Sequence, residues 1–293
     1  MCGRFCCSLN PESLETKLYE DNIVAESEIR WVDKEKYFPS YNVCPARYIL
    51  TMYQDDKSKK QVLQPMQWGF IPSWSKTRDM PINARAETLQ EKSKIFDSAK
   101  RHKRCVIITE GFYEWKKLSG NKRKPYFVKR KDGQCMVFAG LYDTNTFVAD
   151  KLNTCVIITT HSTGSFASIH SRMPVILDHD AISTWLDCRL DWSQPIIDLL
   201  KPFKGPLDCY QVGNDVGAIK NDSPSLIVPI DNKESSIFHY LKKEDMFNTD
   251  NKPTTETKKR KSTSSSSSPS QEVANNKKRG GVPKITNFFM KKE

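Results

Sequence analysis

The carboxy-terminal segment sets the first limit on what this chain can fold into. From Asn251 to Gly281 it is built of Thr, Ser, Lys and Asn runs, including Ser264–Ser268, with almost no large apolar side chains. Such a segment cannot offset its ordering entropy by burial. The sequence therefore predicts a disordered basic tail over 241–293 and confines the core to residues 2–240. Charge divides the same way. Residues 251–293 hold 11 Lys+Arg and 3 Asp+Glu, a net +8 of the chain's +11, which leaves 35 basic and 32 acidic residues in the body. A body so nearly balanced is not marked as a binder of polyanions by its charge. Two clusters in the tail, Lys258–Lys261 and Lys277–Arg279, read either as nuclear import or nucleic-acid patches or as a solvated linker.

No apolar run approaches the ~20 residues of a membrane span. Met1–Asn10 also lacks an apolar signal core of ~7–15 residues. The expectation is a protein that does not engage membranes, whose nine Cys are reduced thiols rather than a disulfide framework. No Cys pair has zinc-ligand spacing and no glycine-rich phosphate loop occurs, so neither a metal nor an organic cofactor is expected.

Short runs rich in β-branched and aromatic residues predict strands at Tyr48–Tyr53, Cys105–Thr109, Tyr126–Lys129, Met136–Leu141, Cys155–Thr160 and Pro174–Leu177. Helical patterns fall at Pro11–Glu20, Leu89–Arg101, Asp180–Leu186 and Gln194–Leu200. Asn10 before Pro11 is a good N-cap. Strands and helices do not alternate regularly, so an α+β fold with a β-rich core and peripheral helices is predicted over a doubly wound one.

Position 2 is Cys. A small second residue permits removal of the initiator Met, which leaves Cys2 with a free α-amine. The amine (ordinary pKa ~7.7–8.0) and the thiol (~8.5) are then both partly available near neutral pH. With an aldehyde the amine forms a Schiff base, and the thiol closes a five-membered thiazolidine on the imine carbon. A Cys at position 2 is by itself weak grounds for chemistry, since Cys6 and Cys7 nearby also suit a buried core.

The chain carries an ordered set of uncommon motifs. They are Cys2-Gly3-Arg4-Phe5, Trp68-Gly69-Phe70-Ile71-Pro72-Ser73-Trp74, Ile82-Asn83-Ala84-Arg85-Ala86-Glu87, Gly111-Phe112-Tyr113-Glu114-Trp115 and Ile169-His170-Ser171-Arg172-Met173-Pro174. Together, over roughly residues 2 to 230, they closely resemble the SRAP family, named for a predicted SOS response-associated peptidase. With the basic tail the chain resembles the eukaryotic branch of that family. The resemblance implies a single α+β domain with a DNA channel. It also implies suicide cross-linking of abasic sites in single-stranded DNA through Cys2, in the nucleus at replication forks. Two other activities attach to the family: a cysteine peptidase with Cys2 as nucleophile, and a non-enzymatic reader of modified DNA bases. A monomer is expected, because one terminal amine meets one lesion.

The motif matches assign expected roles beside plainer alternatives. Asn83 would orient the α-amine and hold the sugar oxygen, or would be a turn residue. Glu114, flanked by Tyr113 and Trp115, would be desolvated enough for general acid/base work, or would be a surface carboxylate beside Lys116 and Lys117. His170 would protonate the ring oxygen as the sugar opens or assist reversal, or would be structural. Arg4, Arg85 and Arg172 would hold phosphates, or would pair with the body's carboxylates. Trp74 and Trp115 would stack on bases, whereas Trp68 reads as core. Near 282–289, Ile285, Phe288 and Phe289 resemble the motif that binds the replication sliding clamp. That motif has Gln where this chain has Val282.

Overall fold

The computed structural model describes residues 3–24, 29–78 and 80–230. The tail, with its basic clusters and clamp-like end, lies outside the described residues.

Among the described residues thirteen strands follow in chain order: β1 (Phe5–Cys7), β2 (Arg30–Trp31), β3 (Ser40–Val43), β4 (Tyr48–Gln54), β5 (Gln61–Trp68), β6 (Asn83–Arg85), β7 (Arg104–Thr109), β8 (Gly111–Lys117), β9 (Arg123–Arg130), β10 (Met136–Asn145), β11 (Leu152–His161), β12 (Arg172–Pro174) and β13 (Leu207–Gln211). The helices are α1 (Pro11–Glu20), α2 (Ala86–Gln90), α3 (Asp97–His102), α4 (His179–Leu186) and α5 (Gln194–Ile197). The fold is the expected α+β class with a β-rich core. No helix among the described residues is long and apolar enough to cross a membrane.

The strands form two sheets. β13, β9, β8, β1 and β3 make a five-stranded antiparallel sheet in that order. In the second, β5, β4, β7, β10 and β11 pair in succession, and β11 returns to pair in parallel with β5 at Thr154↔Gln67 and Cys155↔Trp68. That last pairing closes a small barrel. β7 is buried along its whole length. One face lines the barrel. On the other side α4 lies against it, with Trp185 Nε1–H donating to the Cys105 carbonyl at 2.8 Å. Burial on both faces is why β7 reads as a continuous apolar run rather than an alternation.

The largest core spans both sheets. A second, smaller cluster of Cys6, Tyr113, Phe127, Val212, Val216 and Leu226 covers the other face of the five-stranded sheet. In β8, Phe112 belongs to the first core and Tyr113 to the second, with Trp115 packed against it. Strand alternation thus splits Phe112 and Glu114 from Tyr113 and Trp115. The motif glycine at the start of β8 has a steric cause: a Cβ on Gly111 would sit 2.4 Å from Phe127 Cζ and 2.7 Å from the Val128 carbonyl oxygen.

Three expectations need correction. The helix predicted over Gln194–Leu200 ends at Ile197, and the chain goes on in tight turns, with the Leu200 amide donating to the Ile197 carbonyl at 2.9 Å. The helix predicted over Leu89–Arg101 is two helices, α2 and α3. Between them Ser93 turns the chain, accepting from the Phe96 and Asp97 amides at 3.1 and 3.0 Å. The turn lets Phe96 be buried against Phe70, with ring centroids 5.3 Å apart. The strand predicted over Pro174–Leu177 is shifted. β12 ends at Pro174, and Ile176 makes only an isolated bridge to Phe138.

Candidate active site

The first described residues are built into the five-stranded sheet. β1 pairs with β8 at Phe5↔Phe112 and Cys6↔Gly111, and the Tyr113 amide donates to the Arg4 carbonyl at 2.9 Å. Carried two residues back, this register sets Gly3 across from Glu114. Phe5 is fully buried, 5.0 Å centroid to centroid from Trp68. Cys2 lies outside the described residues. The other thiols offer no competing nucleophile in the core: burial pushes the thiols of Cys6, Cys105, Cys135 and Cys155 well up, and that of Cys7 up to about 12.

Glu114 is a strand residue only 4% exposed, and its Oε1 accepts from the Trp115 amide at 3.2 Å. The surface-carboxylate alternative is removed. Asn83 opens β6, half-buried, paired in parallel with Ile157 of β11. The preceding carbonyl, on Ile82, accepts from Trp68 Nε1–H at 2.9 Å and from the Ile157 amide at 3.1 Å. Trp68 therefore links Phe5 of the N-terminal strand to the residue before Asn83. It is fully buried, as its sequence context predicted.

His170 follows a single 3₁₀ turn, Gly164–Ser168. Its amide donates to the Phe166 carbonyl at 3.2 Å and its carbonyl accepts from Ser162 Oγ at 2.6 Å. Phe166 packs edge-on against Phe112 at 5.5 Å, which sets the turn beside the Glu114 face of β8. The Arg172 amide donates to His170 Nδ1 at 3.0 Å. The Arg172 carbonyl lies 3.1 Å from the same nitrogen, so the Arg172 backbone orients the ring in either tautomer. Phe5, Trp68, Phe112 and Phe166 thus tie the segments that carry Asn83, Glu114 and His170 into the core that spans the two sheets.

The arginines divide. Arg4 is half-buried. Its guanidinium donates to Asn42 Oδ1 at 2.6 Å and to the Val216 carbonyl at 2.8 Å, and stacks over Trp115 at 5.7 Å. Desolvation lowers its pKa. Arg172 makes a fork to Glu87, at 2.7 and 2.9 Å, and also donates to the Thr159 carbonyl at 2.6 Å. That fork holds the Glu87 carboxyl below its ordinary range, against a smaller opposing effect of burial. Arg85, between Asn83 and Glu87, is exposed. Trp74 is 57% exposed, while Trp115 is half-buried in the second cluster.

Sequence reasoning missed Asn42, which is 4% exposed and holds Arg4. It also gave no role to Glu87, although the residue stands in a quoted motif. A lone Asn in Ser-Tyr-Asn-Val carries no local signal of the three carbonyls that fold against it from residues 216–221. Among the described residues no three His, Cys, Asp or Glu side chains converge as a metal site would require.

The family description "SOS response associated peptidase (SRAP)" matches residues 1–219. The chain belongs to the SRAP family. The Abasic site processing protein YoqW of Bacillus subtilis (strain 168) is 38% identical over 232 residues, covering 78% of this SRAP chain and 99% of its own. The Abasic site processing protein HMCES of Pongo abelii is 30% identical over 273 residues, covering 79% of this chain and 77% of its own. Among solved structures, a protein from Bacteroides thetaiotaomicron superposes with a TM-score of 0.65 at 25% identity, over 78% of this chain and 99% of that one. The five motifs of this SRAP domain are the segments that meet around β1, β8 and β11.

Proposed function

We propose that this SRAP protein processes abasic sites in single-stranded DNA, and does so by a covalent cross-link between Cys2 and the lesion's aldehyde. The observation that carries the reading is the β1–β8 register. It sets Gly3, the residue that follows Cys2 in sequence, across from a buried carboxylate, Glu114.

The closed sugar opens as the anomeric hydroxyl gives up its proton and His170 protonates the ring oxygen, which exposes the aldehyde. With Met1 removed, the α-amine lone pair of Cys2 adds to the aldehyde carbon. By way of Glu114 the two protons of the amine pass to the oxygen, which departs as water and leaves an imine. The Cys2 sulfur then adds to the imine carbon while its proton passes to the nitrogen. One C–N and one C–S bond form and one water is released. Asn83 orients the amine and the sugar oxygen. The product has no free aldehyde, so the strand is protected from elimination. At a replication fork the template is already unpaired, so no duplex extrusion, costing about a few kcal/mol, is needed. Arg4, Arg85 and Arg172, with Trp74 and Trp115, would hold the flanking strand. The basic clusters of the tail would direct the protein to the nucleus, and Ile285, Phe288 and Phe289 would tether it to the sliding clamp. It would act as a monomer and without a cofactor. The relatives' names, which state abasic site processing, support the substrate.

The test is intact-mass analysis of protein mixed with single-stranded DNA carrying one abasic site. The expected adduct is protein lacking Met1 plus DNA, less one water, resistant to denaturation and lost in Cys2→Ser. An undiminished adduct in Cys2→Ser would overturn the reading. Turnover of peptides without DNA would favour the peptidase, and reversible binding that survives Cys2→Ala would favour the base reader.

A further inference from the structure

We propose that Trp74 and Phe147 form one two-ring platform, built on Asn145, on which unpaired bases flanking the lesion stack. The proposal rests on the single-stranded DNA reading above and adds Phe147, with the buried amide that anchors it, to the contacts of the flanking strand.

Exposed aromatics scattered singly need no explanation. These two are not scattered. Trp74 is 57% exposed and Phe147 60% exposed, and the turns that carry them are tied to the same buried side chain. Asn145, at the end of β10, is fully buried. Its Nδ2 donates to the Pro72 carbonyl at 2.6 Å and the Ser75 carbonyl at 2.8 Å, and its Oδ1 accepts from the Phe147 and Val148 amides at 2.8 and 2.9 Å. One amide therefore fixes the backbone on both sides of Trp74 and at Phe147. Two residues earlier on β10, Asp143 is 2% exposed. It accepts from the Ser73 amide at 2.8 Å and pairs with Lys103. Buried polar groups spent on holding two exposed rings make a preorganised surface rather than a loose one.

The surroundings indicate what the rings receive. Lys76 Nζ lies 5.7 Å from the Phe147 ring centroid, and Arg78 donates to the Val148 carbonyl at 3.2 Å. Rings for base faces beside cations for phosphates are the two parts of a single-strand binding groove. The platform is also continuous with the site. The Trp74 loop is closed at its base by the Phe70 amide donating to the Pro81 carbonyl at 3.0 Å, and Asn83 follows two residues later.

The test compares full-length wild type, Phe147→Ala and Phe147→Trp on two abasic-site oligonucleotides. One is just long enough to fill the reactive centre, and the other is extended by several nucleotides on each side. Stacking is worth about 1–3 kcal/mol per base, so Phe147→Ala should weaken the extended strand by about fivefold to 150-fold. The short strand should bind as before and the adduct yield at saturating DNA should be unchanged. Phe147→Trp should restore binding. Equal loss on both strands, or no loss on either, overturns the platform. So does a change in self-association or in capture of a protein partner with DNA binding intact. If wild type binds neither strand, the single-stranded DNA reading itself fails, which is a different result from failure of the variant alone.

Discussion

Replacing Asn42 by alanine removes the side chain that joins the N-terminal strand to the segment covering it. Asn42 Oδ1 accepts from Arg4 at 2.6 Å, and Nδ2 lies 2.8 Å from the Asn221 carbonyl, with Ala218 and Val216 carbonyls at 3.2 and 3.3 Å. A hydrogen bond to a charged group contributes about 1.5–3 kcal/mol, and leaving a buried acceptor unpaired costs about 1–3 kcal/mol. The Val216 carbonyl keeps Arg4 as a donor, so the acceptor facing loss is chiefly Asn221. Partial relaxation and water entry reduce the total to about 2–4 kcal/mol. For a domain of this size that is a fall in melting temperature of roughly 4–16 °C. Urea unfolding of the full chain measures the first figure and calorimetry the second. Asn42→Asp is the control. It keeps an acceptor for Arg4 but turns a carboxylate toward carbonyl oxygens, so it should also destabilise. Cross-linking should slow in Asn42→Ala under conditions where it remains folded, because Arg4 loses one of its two anchors. A change in stability below about 0.5 kcal/mol, or an Asp variant as stable as wild type, would refute the reasoning.

Gly111→Ala should cost about 1–3 kcal/mol or more by overpacking, since the new Cβ meets the buried Phe127 ring and the Val128 backbone; an unchanged urea midpoint would contradict the close approach. Glu114→Gln keeps shape but cannot relay a proton, so adduct formation should slow by about 10²–10⁴-fold with DNA affinity unchanged, and single-turnover gels would show it. Glu87→Gln should cost about 0.5–1 kcal/mol at neutral pH, because the carboxylate is 54% exposed and its pair with Arg172 is screened. The folded-state pKa of Glu87 lies below its unfolded value, so this contribution is present above about pH 4.5 and is lost as pH falls through the folded value. Wild type and Glu87→Gln should therefore converge in acid denaturation.

What the sequence made legible was local. Asn10, Pro11 and the apolar pair Leu14 and Leu18 mark α1, and the structure puts the Ser13 amide on Asn10 Oδ1 at 2.8 Å with both leucines buried. The β-branched runs of β4, β7, β10 and β11 were legible for the same reason. β5 was not, because Pro65 interrupts it. The structure shows why the proline is tolerated: β2 flanks β5 at Val62 and Leu63, and β11 flanks it at Gln67 and Trp68. Pro65 falls in the gap, where no ladder bond is lost. Barrel closure is a pairing between residues about ninety positions apart, and nothing in either segment signals it. The break between α2 and α3 was hidden because Phe96 keeps the helical spacing while its burial against Phe70 requires a turn.

The site was legible as motifs but not as wiring. Three arginines stand beside the key residues, and in sequence each reads equally as a phosphate ligand or a brace. In the structure Arg4 and Arg172 are braces in their resting arrangement, one held by Asn42 and the other by Glu87, while Arg85 is exposed. The two roles are compatible, because a guanidinium has more donors than one carboxylate or amide can occupy. Its orientation is then fixed before a phosphate arrives, which reduces the ordering cost of binding. A body of nearly balanced charge can therefore engage DNA through a few fixed cations. The carboxylates that balance it, Glu87 among them, contribute by holding those cations in place.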